Sequence, residues 1–426
     1  MRITRRDIRG MVAKTVENSA DIRASRPLEQ RLVESVWHLW ETEGHAGISA
    51  RSLAQHAGVP MSTLYNRFPS MEHMFLTAQE EALTQTRQWC ATQLEHLSQP
   101  SSASRPVGGL GPIMAALIDE WAQEQRHLAF AWREGFLLAS RDPEQPHPGR
   151  AWHGLWRDFW QAVCDLCGMG DYGEWTSFVF EAEAALHMLR WRRTLDRACL
   201  EELCHNWETW LQGRLVPASP WRSIAREQAL ASLPDLPSHD EMTQRIAAAA
   251  ADVVEHQGMA RLTHRSVASA AGVSLGMVSS RFRTSVDLVK GAFEAIYQRA
   301  ASPYHEAAET PMADGSAEQV EQLMPKLTGE YISISNRLAF EELTLAVARD
   351  PNFQPFAPQL RYLRGRTSGQ VLHKTLGAKA AISPDDAALF SNLLSGMQRA
   401  GISLSPAQRA QSGRAHIERL LHLLGE

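Results

Sequence analysis

The chain lacks the features of a membrane, secreted or disulfide-bonded protein. In its 426 residues, no apolar run approaches the roughly 18 residues that are needed to cross a bilayer. The first residues are basic, but no apolar stretch or cleavage site follows them, so we expect no secretory signal. The five cysteines are too few for a disulfide framework and odd in number, so we expect reduced thiols in a cytoplasmic protein.

Motifs that carry chemistry are equally scarce. We find no nucleophile–base set, no phosphate-binding loop and no compact metal-ligand spacing. The pairs Cys164-x2-Cys167 and Cys199-x4-Cys204 lie in apolar, helix-like sequence without a histidine pair, which favours buried structural cysteines over a zinc site. We therefore expect no enzyme activity, no metal and no cofactor.

Strand-like alternation is missing as well. Amphipathic runs of about 10–25 residues, separated by Pro, Gly and Ser, predict an all-α fold. The length is too great for one ordinary core and predicts two to four domains. The net charge of −5 gives no overall attraction to nucleic acid, so any such binding has to come from local charge.

One twelve-residue pattern occurs twice. Residues 57–68 read AGVPMSTLYNRF, and residues 271–282 read AGVSLGMVSSRF, 214 positions later. At that offset, residues 48–75 and 262–289 share eight identities in 28 pairs. Because solenoid repeats are only about 20–50 residues long, this period predicts two copies of a unit of about 200 residues.

Each copy of the pattern predicts a helix-turn-helix. In the first copy, Ser49 is a good N-cap for one short helix, Gly58 permits a left-handed turn, and Pro60 suits the first turn of the next helix. In this motif the second helix lies in the DNA major groove. Residues 44–71 and 256–286 contain no Asp or Glu, where about three acids would be expected in each window. This local absence of negative charge favours phosphate binding.

The pattern I-S-x-R-S-L-A-x-x-A-G-V-x-x-S-T-L-Y-N-R-F, followed by S-M-E-H-M-F, resembles the DNA-binding segment of the tetracycline-repressor (TetR) family. The resemblance is specific over about residues 28–80 and looser over 241–297. It implies an all-helical fold with a three-helix DNA-binding unit and a larger ligand-binding and dimerising domain. It also implies a regulator without enzyme activity that binds DNA as a dimer and releases it when a small molecule binds.

The resemblance also implies which residues contact DNA. In the first copy the family's positions fall on Ser62, Thr63, Tyr65, Asn66 and Arg67. In the second copy Met277, Ser279 and Ser280 occupy three of these positions, so its base-reading surface is poorer. The acid-free windows add further candidates for DNA contact, and these are Arg51, Arg265, Arg281 and Arg283. For the arginines, an ion pair with a neighbour or solvated charge stays open as the alternative.

The thirteen tryptophans all lie at or before residue 221. Trp152, Trp156 and Trp160 form a helical stripe, and Trp121 and Trp132 lie on the predicted helices before it. These five residues either pack a core or wall a pocket for a small apolar or aromatic effector.

We predict one chain with six segments that acts as an internal pseudo-dimer. The segments are a basic arm (1–26), a first helix-turn-helix domain (27–75), a first ligand-binding and dimerisation domain (76–215), a linker (216–237), a second helix-turn-helix domain (238–289) and a second larger domain (290–426). Helices within about 174–213 and 384–425 would form the internal interface, and further pairing of whole chains stays open.

The expected partner is a double-stranded DNA operator. We expect it to be asymmetric, because the second helix of the first helix-turn-helix differs in sequence from that of the second. The arm, with Arg2, Arg5, Arg6 and Arg9, either enters a minor groove or is a disordered tail. The rival interpretation is a ligand- or protein-binding module on a TetR-like scaffold that no longer reads DNA.

Overall fold

A computed structural model describes most of the chain. The described ranges are 27–98, 109–141, 148–232, 240–309, 334–376, 382–401 and 404–425, with isolated positions between 321 and 328. The predicted basic arm and the end of the predicted linker lie outside these ranges. Regular structure in the described ranges is entirely helical, which confirms the all-α prediction.

The first half of the described chain contains nine α-helices, and a tenth follows in the linker region. They are α1 Leu28–Thr42, α2 Ala50–Ala57, α3 Met61–Arg67, α4 Met71–Ser98, α5 Leu110–Gln123, α6 Arg126–Arg141, α7 Gly149–Leu166, α8 Gly173–His187, α9 Arg193–Leu211 and α10 Pro220–Ala231. Short 3₁₀ turns lie at His45–Gly47 and Gly170–Tyr172.

The second half contains nine further α-helices in the described ranges. They are α11 Glu241–Gln257, α12 His264–Ala271, α13 Leu275–Arg281, α14 Ser285–Glu309, α15 Ile334–Arg349, α16 Ala357–Tyr362, α17 Arg366–Leu376, α18 Pro384–Ala400 and α19 Pro406–Gly425. Here the 3₁₀ turns lie at Met259–Arg261 and Pro351–Phe356.

The sequence repeat is visible in the helices and in their packing. Helices α12 and α13 have the bounds of α2 and α3 shifted by the repeat offset, and α14 begins at the same offset from α4. In the first half, α1 packs against α6, and α4 packs against α6 and α7. In the second half, α11 packs against α15, and α14 packs against α15 and α17. The two halves therefore repeat the same local arrangement.

The two halves contact each other through matched helices. Helix α8 packs against α18, and α6 packs against α15. Gly396 of α18 lies so close to the backbone of Phe178 that a Cβ there would collide with the Phe178 carbonyl group. Helices α8 and α18 lie within the predicted ranges of about 174–213 and 384–425, whereas α6 and α15 lie outside them, because the prediction covers only the last helices of each copy.

Buried polar contacts also join the halves. The Arg133 guanidinium pairs with Glu341, and both side chains are almost fully buried. The Asn392 amide donates to the Glu183 carboxylate at 3.0 Å, and this hydrogen bond is buried as well. Since a buried charge without its partner is strongly destabilising, these contacts favour one relative placement of the halves.

The region predicted as a linker contains helix α10. Pro220 lies in its first turn, where the missing N–H costs nothing, so this proline begins a helix although the prolines of the region predict a break. The Arg222 Nε of α10 donates to Asp385 at 2.9 Å, and Arg226 reaches the same carboxylate at 3.0 Å. The linker region thus packs between the halves.

Among the described residues, none of the helices combines the length and apolar character that a membrane span requires. All five cysteines are buried and free, which agrees with the prediction of buried structural cysteines for the two pairs.

Candidate nucleic-acid interface

The first short helix of each helix-turn-helix unit is held by the same cap. The Ser49 hydroxyl accepts from the Ser52 backbone N–H at 3.0 Å, and the Ser52 hydroxyl accepts from the Ser49 N–H at 2.9 Å. Thr263 and Ser266 form the same reciprocal pair at the equivalent place in the second unit, at 3.1 and 3.0 Å. The Ser49 cap confirms the prediction. The Thr263 cap was not predicted, although the T-x-x-S spacing in the sequence carries the signal.

The turn between the two short helices is also the same in both units. Gly58 and Gly272 have φ angles of 66° and 63°, in the left-handed region where glycine is favoured. An arginine of the preceding long helix binds the end of the first short helix in each case. Arg31 donates to the Ala57 carbonyl at 3.2 Å, and Arg245 donates to the Ala271 carbonyl at 2.7 Å. The predicted left-handed glycine turn is confirmed.

The second short helix, which we call the reading helix, is anchored by one buried residue in each unit. Leu64 of α3 and Val278 of α13 are buried, and Phe68 and Phe282 are buried just after these helices. The rest of each reading helix faces outward. The side chains of Ser62, Tyr65, Asn66 and Arg67 are exposed, and Thr63 is half-buried.

The second reading helix exposes a different set. Met277, Ser279 and Ser280 are exposed, and so is Arg283 just after the helix. The Ser280 hydroxyl donates to the Met277 carbonyl of its own helix at 2.9 Å, so its proton is already engaged. Arg51 and Arg265, at the start of the first short helices, are exposed at equivalent positions.

The arginines at the ends of the two reading helices are engaged in ion pairs. Arg67 pairs with Glu29, and Arg281 lies 3.6 Å from Asp240. Both acids lie at the start of the long helix that opens their unit, outside the acid-free windows in sequence but close to them in space. These contacts are the ion pairs with a neighbour that stayed open as the alternative to DNA contact for Arg67 and Arg281. The Arg67 pair is well exposed, so exchanging Glu29 for a phosphate would cost about 1 kcal/mol or less.

The 3₁₀ turns of the two units contact each other, and each is bound by an ion pair that joins the halves. Arg349 of α15 pairs with Glu134 of α6, and its Nε donates to the Trp40 carbonyl at 2.8 Å. Reciprocally, Arg141 of α6 pairs with Glu342 of α15 at 2.6 Å. The Glu342 carboxylate also accepts from the Met259 backbone N–H at 3.2 Å.

The equivalent contact in the first unit involves His45. Its backbone N–H lies against Glu134, as that of Met259 lies against Glu342. Burial, together with the nearby charge of Arg141, lowers the pKa of the His45 imidazole from its usual 6.5 to about 4. Each helix-turn-helix unit is therefore tied to a charged pair formed by both halves.

The five predicted effector residues lie together in the first larger domain. The Trp121 and Trp156 rings are 4.9 Å apart edge-to-face, and Trp132 lies 5.2 Å from Trp156. Trp152 stacks on Trp132, and Trp160 packs on Phe180, so aromatic side chains fill this region. All five tryptophans are at most 5% exposed.

Two features near this cluster bear on ligand binding. The indole N–H groups of Trp121, Trp156 and Trp160 are buried and have no hydrogen-bond acceptor among the described residues. An open groove of about 460 Å³ lies beside the cluster, and its lining includes Cys90, Leu94, Leu155, Asp158 and Phe159. An effector pocket walled by the five tryptophans stays a prediction.

A comparison with models of protein families finds no match to this chain, and a comparison with curated protein sequences finds no relative. The function therefore has to be argued from the site itself.

Proposed function

We propose that this protein is a TetR-like transcriptional regulator that binds an asymmetric, pseudo-palindromic DNA operator as a single chain. The observation that carries the proposal is the repeated pair of helix-turn-helix units with capped first helices, left-handed glycine turns and exposed reading helices. In such a motif the reading helix enters the major groove, and its exposed residues meet base edges and phosphates.

The internal pseudo-dimer is supported by the reciprocal contacts between the halves. In a two-fold interface, a contact from residue i to residue j is matched by one from j to i. The pairs Glu134–Arg349 and Arg141–Glu342 have this form, since both partners of each pair lie at equivalent places on α6 and α15. One chain would then supply both reading helices, which a conventional dimer supplies from two chains.

The test is selection of binding sites from random duplexes with the full chain, followed by light scattering of the complex. We expect an enriched sequence with two unequal half-sites and one chain for each duplex. Two chains on every duplex would contradict the single-chain mode, and a palindrome with equal information in both arms would contradict the asymmetry.

The proposed effector is a small apolar or aromatic molecule that enters the tryptophan cluster from the neighbouring groove. The three indole N–H groups that lack an acceptor among the described residues favour a molecule with hydrogen-bond acceptors. Titration with such compounds should change tryptophan fluorescence in the wild-type protein and not in Trp156→Ala, provided that circular dichroism shows the variant to be helical. An unchanged titration in Trp156→Ala would assign Trp156 to the core alone.

The second candidate is a ligand- or protein-binding module that has lost DNA reading. It is favoured by the ion pairs of Arg67 and Arg281 and by the engaged Ser280 hydroxyl. A gel shift with the chain's own promoter region separates the two, because this candidate would give no salt-sensitive complex with DNA.

A further inference from the structure

Both reading helices carry exposed apolar side chains. Nine large hydrophobic residues are exposed in the described part of the chain, and four of them lie on the two short helices α3 and α13. They are Met61, Tyr65, Leu275 and Met277. Helix α10 carries three of the others, Trp221, Ile224 and Leu230, but it also contains Glu227, whereas the two short helices combine exposed apolar side chains with the acid-free windows.

Two of these four residues occupy equivalent positions. Met61 opens α3 and Leu275 opens α13, at matching places in the repeat, and they are 43% and 47% exposed. Each lies one helical turn before the buried anchor of its helix, Leu64 or Val278. The repeat has therefore kept a flexible or branched apolar side chain at one outward position while the neighbouring polar residues changed.

The charge around these residues points to a polyanion as the occupant. Both reading helices lie within the windows that contain no Asp or Glu, exposed Arg51 and Arg265 lie at the start of the preceding short helices, and exposed Arg283 follows α13. Glu29 and Asp240, the acids that approach from outside these windows, are paired with Arg67 and Arg281. An apolar protein surface would not require this arrangement, whereas a DNA duplex would. In the major groove, the apolar group on the base edges is the C5 methyl of thymine.

We propose that Met61 and Leu275 each contact a thymine methyl at matched positions of the two half-sites. This inference rests on the proposed DNA-binding function. It adds one feature of the operator that is the same in both half-sites. Although Thr63, Tyr65 and Asn66 differ from their counterparts, the operator would keep one thymine in each arm, related by the pseudo-two-fold axis. Met277 replaces Thr63 and has no apolar equivalent in the first copy, so it creates no matched pair.

The test replaces single thymines of the selected operator by deoxyuridine, which removes the C5 methyl and keeps base pairing. We expect two sensitive positions, one in each half-site and symmetrically placed. Each replacement should weaken binding by about fourfold, the value for one buried carbon group of this size.

The two residues serve as controls for each other. In Met61→Ala, the deoxyuridine effect should vanish in one half-site and persist in the other, and Leu275→Ala should give the converse pattern. Both positions are exposed, so thermal unfolding should be nearly unchanged in either variant.

Three results would overturn this inference. A deoxyuridine scan without any sensitive position would do so, and so would sensitivity that persists at both positions in both variants. In those cases DNA binding itself would stand. If no duplex is enriched by the full chain at any salt concentration, the proposed function fails, and this inference fails with it.

Discussion

The two helix-turn-helix units have the same backbone conformation in their caps and turns, but different side chains fill their cores. In the first unit, the core contains large side chains such as Leu32, Trp37 and Trp40. In the second unit, the core around α11 is built largely from alanines, including Ala249, Ala250 and Ala251. Both units nevertheless form the same caps and the same glycine turn. Core volume can therefore change extensively as long as the residues that set backbone conformation are kept.

The surfaces of the two units differ as well as their interiors. The first reading helix presents Thr63, Tyr65 and Asn66, which supply hydroxyl and amide groups for hydrogen bonds. The second presents Met277, and the Ser280 hydroxyl is bound to its own helix. The comparison teaches that the repeat has kept its backbone scaffold, while the exposed side chains of the second short helix offer fewer free hydrogen-bonding groups than those of the first.

The largest expected effect concerns this difference in reading. Thr63→Ala combined with Asn66→Ala should weaken specific binding by about 2–6 kcal/mol, because each lost base contact costs about 1–3 kcal/mol. Met277→Ala with Ser280→Ala should cost much less. Fluorescence anisotropy with the selected operator measures both. Equal losses in the two double variants would show that the second helix reads bases as well as the first.

The next effect concerns the reciprocal ion pairs. Glu134→Gln should destabilise the chain by about 3–5 kcal/mol, because Arg349 would keep a buried charge without its partner. The corresponding change, Glu342→Gln, should cost less, since the Arg141 side chain is 25% exposed and water can solvate it. Urea unfolding of both variants measures the difference. Two equal values would mean that the pairs are equivalent despite their different exposure.

A smaller effect concerns pH. The folded-state pKa of His45 is about 4 against an ordinary 6.5, so the unfolded chain binds the extra proton first as pH falls. Stability from this residue is therefore complete above pH 6.5 and is lost as pH falls through pH 4, by about 3 kcal/mol in total. Met259 occupies the equivalent place and does not titrate.

The matched variant is His45→Met, which gives the first turn the residue of the second. Urea unfolding at pH 7 and at pH 4.5 should show a smaller loss of stability in this variant than in the wild type. If both proteins lose the same stability over this range, the acid sensitivity comes from other groups.

The smallest effect concerns the arginines at the ends of the reading helices. If Arg67→Ala removes a phosphate contact, the slope of log affinity against log salt should fall by about 1. Arg281→Ala should do the same in the other half-site. The exposed pairs with Glu29 and Asp240 offset only a small part of this, at about 1 kcal/mol or less. Unchanged slopes in both variants would leave these arginines as partners of their neighbouring acids alone.

Much of the local structure could be predicted from the sequence because it depends on neighbouring residues. The Ser49 cap, the Gly58 turn and the buried Phe68 each follow from residue type and short spacing. The helix in the linker region could not be predicted in this way, because its prolines indicate a break. Pro220 is compatible with the first turn, and burial of Ala225 and Ala229 then stabilises the helix.

The sequence by itself determined the all-helical class, the long repeat and the outward face of each reading helix, since these depend on periodicity, caps and turns within a few residues. Only the tertiary structure decided which charges meet. Glu134 and Arg349 are 215 positions apart and carry no mutual signal in the sequence, and Glu29 reaches Arg67 from outside its acid-free window. Ion pairs between distant segments depend on how whole helices pack, and no local pattern encodes that packing.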